Sequence, residues 1–133
     1  MRKSFIMPSA KTIICLLPMI TALPLEAHGW IVSPASRQQF CAAGQTPFDC
    51  GAIIYEPQSV EALKGSRKCS GDGHFDILDA NLDWPTTPVG RSVNFTWKLT
   101  APHRTTSWDY FLDGQLIQSF DQGNQIPPKA VTH

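Results

Sequence analysis

Between Ser92 and Thr100 the chain alternates: Val93, Phe95, Trp97 and Leu99 are apolar, while Asn94, Thr96 and Lys98 are polar. A period of two predicts a strand with one buried face. Ser107 to Leu112 reads as a second strand. Asp113-Gly114 after it is a hairpin signal that returns Gln115 to Phe120 alongside. Two shorter apolar pieces, Trp30 to Val32 and Ala52 to Tyr55, are stopped by Ser33-Pro34 and Glu56-Pro57. Ser59 to Leu63 allows one helical turn, with Ser59 as cap and Gly65 as stop. Residues 66–90 read as loop, rich in Gly, Asp and Pro. No segment carries a long helical period and no repeat is visible. The pattern predicts a mostly-β sandwich of short strands, long loops and short helical turns. The tail from Pro127 to His133 leads nowhere. The three or four strands before it fall short of the roughly seven of an isolated sandwich, so the chain is expected to be incomplete.

The start of the chain departs from this pattern. Arg2 and Lys3 precede an apolar stretch from Thr12 to Leu23, and Leu25-Glu26-Ala27 forms an acceptable cleavage site. The stretch is shorter than the roughly 20 residues of a membrane span. Residues 1–27 are therefore expected to be a secretory signal, leaving an extracellular chain, 28–133, with no membrane segment. Its removal takes Arg2, Lys3 and Lys11 from eleven basic residues and Glu26 from eleven acidic ones. Eight then face ten, with no basic block, which excludes a nucleic-acid partner and suits neutral polymers or small molecules.

Secretion also changes the reading of the cysteines, because it favours disulfides. With Cys15 in the signal, Cys41, Cys50 and Cys69 remain. Cys41 and Cys50 bracket a short loop containing Gly44 and Pro47 and are the expected pair. Cys69 is left free, paired between chains, or paired beyond residue 133.

A mature chain starting at His28 offers a metal two nitrogens from one residue, the α-amine and ring Nδ1. The amine loses its proton near neutral pH. One further imidazole completes a planar three-nitrogen set suited to Cu(II). His74, His103 and His133 are the candidates, and each alone is read more simply as a surface or hydrogen-bonded histidine. His103 directly follows the best-defined strand, which can aim it.

Several stretches together resemble the bacterial-type chitin-binding proteins classed as lytic polysaccharide monooxygenases, auxiliary activity family ten. They are His28-Gly29 with Ser33-Pro34-Ala35-Ser36-Arg37, then Cys50-Gly51, Tyr55 to Glu61, Phe95 to Ala101, and His103 with Thr105 to Trp108. They run in the family's order across nearly all of 28–133. The resemblance implies an immunoglobulin/fibronectin-III-like sandwich and one copper ion held by the His28 amine, His28 Nδ1 and the His103 ring. It further implies an external electron donor, and O₂ or H₂O₂ as co-substrate. Reduced copper then forms an oxidant that removes hydrogen at a β-1,4 glycosidic bond, breaking the chain. Glu61 falls at the family's acid beside the bound oxygen species, although alone it would be a solvated carboxylate. Ala101 falls at the small residue near the copper's axial side, and Tyr55, Glu56 and Pro57 match the flat substrate face.

Alone, Tyr55 would be an ordinary half-buried strand residue, and Trp97 and Trp108 are assigned to the core. The expected substrate is chitin, with cellulose second, and the expected state is a monomer. A non-catalytic chitin-binding protein and a secreted copper-capturing protein are the competing readings. Family members continue into further strands that carry an axial aromatic and more of the substrate face, which this chain lacks. Asn94-Phe95-Thr96 is a glycosylation sequon on the polar strand face, relevant only to a eukaryotic secretory route.

Overall fold

A computed structural model describes residues 28–133 apart from positions 63, 64, 67 and 72. The expected signal and its cleavage site lie outside the described residues. The elements in order are β1 (His28–Ser33), α1 (Arg37–Ala42), 3-10 turns at Gly51–Ile54, Pro57–Ser59 and Asp76–Asp79, and then β2 (Thr96–Ala101). Three strands follow: β3 (Thr105–Leu112), β4 (Gln115–Gln125) and β5 (Ala130–Thr132). The fold is mostly β, as the alternation predicts. Strands β1, β2 and β5 form one antiparallel sheet with β2 in the middle, and β3 and β4 form a second. Among the described residues, no helix is long and apolar enough to cross a membrane.

The strand predicted from Ser92 begins only at Thr96. β1 reaches as far as Ser33 opposite Thr96, and Phe95 exchanges both backbone bonds with His133 at 2.8 and 3.0 Å. Among the described residues, no strand pairs with 92–94. The tail that carried no strand signal is the other correction. After Pro127-Pro128 it lies along the free edge of β2 as β5, pairing Ala130 with Lys98 and Thr132 with Thr96. The hairpin turn is as expected. Asp113 (φ 49°) and Gly114 (φ 80°) both take the positive φ that a tight two-residue β-turn requires.

The two sheets meet through rings. Trp97 and Phe95 from the first face Trp108 and Tyr110 from the second, with centroids 5.3 and 4.8 Å apart. The Trp97 indole N–H donates to the Tyr110 hydroxyl at 2.9 Å, which lies 2.9 Å from His133 Nδ1. His133 stacks on Phe120 at 4.4 Å with an interplanar angle of 10°. Trp97 and Trp108, expected in the core, pack against each other between the sheets but are only half-buried, and both line an open cavity.

The most deeply buried residues nevertheless lie beneath the long loops. Cys41, Cys50, Ile53, Phe75 and Leu78 form the core cluster, covered by Phe48, Ile54, Val60, Ile77 and Trp84. Cys41 and Cys50 form the expected disulfide, and Cys69 is free and exposed. Helix α1 starts at Ser36, whose hydroxyl accepts from the Gln39 N–H at 3.2 Å. The apolar run at Ala52–Tyr55 is a 3-10 turn, not a strand: it sends Ile53 inward and leaves Tyr55 outside. The helical turn expected from Ser59 sits earlier, at Pro57–Ser59, where proline leads because its fixed φ suits a first turn.

Two predictions follow from this packing. Leu78 is fully buried, so Leu78→Ala should remove about 2–5 kcal/mol of stability in urea unfolding. Burial holds the His133 ring below its ordinary 6.5. The unfolded chain therefore takes up that proton first, and stability should fall as pH drops below 6.5. His133→Gln should flatten that slope in urea midpoints taken between about pH 5 and pH 7.5.

Candidate metal centre

The register of β1 on β2 builds the site. His28 lies opposite Ala101, with an irregularity between His28 and Gly29, and Thr100 Oγ1 donates to the His28 carbonyl at 3.2 Å. His103 follows two residues after Ala101, so the two histidines flank one end of this ladder. Gly29 lets the strands approach. A Cβ there would run into the Leu99 side chain and stand 2.9 Å from the Lys98 carbonyl oxygen.

An open cavity of about 750 Å³ lies at this end, with Gly29, Glu61, Trp97, Pro102, His103 and Trp108 among its lining. Glu61 Oε1 stands 2.9 Å from His28 Nδ1, both side chains about one-third exposed at 28% and 35%. The contact has the length of an ion pair but not the alignment of a hydrogen bond, so Nδ1 is shielded from solvent without a hydrogen-bond partner. His103 Nδ1 lies 2.8 Å from the Arg104 carbonyl oxygen. That oxygen only accepts, so Nδ1 carries the proton, and the neutral ring keeps its lone pair on Nε2. The Thr105 hydroxyl donates to the His103 carbonyl at 3.1 Å, and Arg104 Nη1 donates to the Asn124 carbonyl at 3.2 Å, which fixes the loop on β4.

This donor set fits a metal ion. Among the described residues no three His, Cys, Asp or Glu side chains converge as metal ligands. A site made of two imidazoles and a main-chain amine needs no third side chain. A backbone carbonyl accepting from the second nitrogen of a ligating histidine is the usual orienting arrangement.

The remaining candidates separate cleanly. His74 is exposed, packs edge-on to Phe75 at 4.4 Å, and lines a different cavity with Asp49, Glu56 and Asp76. His133 is spent in the ring stack between the sheets. Tyr55 is 85% exposed, unlike the half-buried strand residue its sequence context suggests. Glu56 beside it is half-buried. Pro57 is buried at the head of its turn, so it supports the neighbouring surface from beneath and does not line it.

Sequence reasoning passed over Gly71. It is buried at φ +63°, and a Cβ there would stand 2.7 Å from the Glu61 carbonyl oxygen. A glycine in a Gly-rich loop carries no mark of such a contact. Arg37, noted only within a motif, donates to the Leu78 carbonyl and lies 4.8 Å above the Trp84 ring, joining α1 to the loop core.

The family model described as "lytic polysaccharide mono-oxygenase, cellulose-degrading" matches residues 28–126. A lytic chitin monooxygenase of Streptomyces ambofaciens is 42% identical over 134 residues, covering 99% of this chain and 77% of that protein. A GlcNAc-binding protein A of Shewanella oneidensis is 34% identical over 81% of this chain but only 28% of its own length. The neutron crystallographic structure of a Jonesia denitrificans lytic polysaccharide monooxygenase superposes with a TM-score of 0.77 at 59% identity, covering 80% of this chain and 76% of that one.

Gly29→Ala should push β1 from β2, cost about 1–3 kcal/mol in urea unfolding, and speed amide exchange along the ladder around Leu99.

Proposed function

The chain belongs to the lytic polysaccharide monooxygenase family, and on that footing we propose that residues 28–133, freed of a signal at 1–27 and secreted, cleave chitin oxidatively with one copper ion. The observation that carries the reading is the β1–β2 register, which sets His28 opposite Ala101 with His103 two residues further on, and the Nδ1 contact of His103 to Arg104, which leaves its Nε2 open. His28 contributes its amine and Nδ1, and His103 contributes Nε2. Copper held there supplies one-electron chemistry toward O₂ or H₂O₂ once an external donor has reduced it. Every other part belongs to the chain.

Glu61 sits against His28 Nδ1 and can hold a proton or hydrogen bond at the open side of the site. Ala101, opposite His28 in the ladder, is small and leaves room beside the metal position. Tyr55 and Glu56 offer an exposed ring and a carboxylate to a surface that cannot be wrapped, as a crystalline polysaccharide face cannot. Chitin is favoured by the names of the relatives from Streptomyces ambofaciens and Shewanella oneidensis; cellulose is favoured by the family description. The second reading is a protein that binds chitin without chemistry, supported by the similarity to a GlcNAc-binding protein.

The test incubates the secreted, copper-loaded protein with a reductant and either β-chitin or cellulose, followed by mass spectrometry. We expect oxidised chitin oligosaccharides and an intact mass starting at His28. A different N-terminus ends the enzyme reading, and bound copper without oxidised products favours the binding protein. His103→Ala should weaken copper binding by more than the roughly 10–100-fold typical of losing an outer partner, as read by calorimetry.

A further inference from the structure

The loop from Cys69 to Asp79 is built around one carboxylate. Asp79 accepts from the Cys69 N–H at 2.8 Å. It also accepts from the hydroxyl and the backbone N–H of Ser70, and these bonds hold its carboxyl below the usual range. Ser70 is fully buried; its hydroxyl accepts from the Gly73 N–H at 3.0 Å and its carbonyl from the Phe75 N–H at 2.8 Å. The residue between these anchors is Gly71, whose α-carbon faces the Glu61 backbone. An added Cβ would stand 2.7 Å from Glu61 O and 3.3 Å from Glu61 N. Only a glycine meets both demands, a left-handed φ of +63° and a backbone in contact on its Cβ side.

Glu61 itself follows the short Pro57–Ser59 turn and lies outside any helix or strand. Its carboxylate nevertheless reaches His28 Nδ1 at 2.9 Å. We infer that Gly71, anchored by Ser70 and Asp79, is a positioning residue that holds the Glu61 backbone so that its carboxylate meets the metal site. The inference rests on the proposed role of Glu61 beside copper. It adds that the acid is set from behind, through its backbone, by a second loop.

The experiment uses the mature copper-loaded protein and the variants Glu61→Gln, Gly71→Ala, Asp79→Asn and the two doubles with Glu61→Gln. Cu(II) electron paramagnetic resonance, oxidation of chitin and thermal unfolding are read on each. A displaced Glu61 should change the Cu(II) spectrum in Gly71→Ala and lower the oxidation rate roughly 10- to 100-fold, the scale of a small misplacement near a reacting centre. Asp79→Asn should act in the same direction. Each double should be no worse than Glu61→Gln alone, because a residue acting through Glu61 has nothing left to lose once the acid is gone.

If Glu61→Gln changes spectrum and rate while the loop variants change only the unfolding temperature, or if losses in the doubles add, the positioning role is overturned. If Glu61→Gln changes neither, the reading of Glu61 beside the metal fails, and the positioning role fails with it. Should Gly71→Ala not fold, the exposed Asp79→Asn variant decides alone.

Discussion

The contact on which the rest depends is the approach of β1 to β2 at Gly29. It is a backbone contact that no side chain could share, because even a methyl group would meet Leu99 and the Lys98 carbonyl. That approach sets the register, and the register brings His28 opposite Ala101. A slip of one residue would turn His28 to the other face of the sheet and send Trp30 out of the interior, where it is 6% exposed. The same ladder therefore serves packing and chemistry, and the central strand β2 feeds both: Leu99 inward, Ala101 and then His103 at its end.

The division of labour between the two halves of the molecule is uneven. The sheets meet through large, partly exposed rings, whereas the driest residues lie under the loops around the Cys41–Cys50 disulfide. Loops of this length are costly in conformational entropy unless something beneath them is buried. Here Ile53 and Leu78 are fully buried under two 3-10 turns, and Arg37 ties one of those turns to α1. The loop region can consequently present Tyr55 and Glu61 as fixed features. In Tyr55 the ring is exposed while the residues on either side, Ile53 and Pro57, are buried.

What could be read from residue order follows the same division. The alternation through Phe95, Trp97 and Leu99 was legible because one face of β2 meets rings and the other meets solvent. The Asp113-Gly114 turn was legible because positive φ at two positions restricts composition. β5 was not, because an edge strand of three residues recruited by β2 needs little pattern of its own. Nor was the 3-10 turn at Gly51–Ile54, where four residues are too few to distinguish a period of two from one of three. The interest of His28 and His103 was readable through the family's motifs; the close approach of Gly71 to the Glu61 backbone was not, since it depends on a contact between loops ten residues apart.

The hydrogen bond of His103 to Arg104 has a further consequence. Donation from Nδ1 to that carbonyl fixes the tautomer of the neutral ring, in which Nε2 carries the lone pair. Under the copper reading proposed above, a chain cut before His28 would bind the metal through an amine whose unperturbed pKa is about 7.7–8.0, and that amine would have to give up a proton. Loading would then carry a pH dependence that belongs to a peptide end, one that exists only in a chain cut before His28. On that reading, the cleavage that makes the ligand would also make the titration.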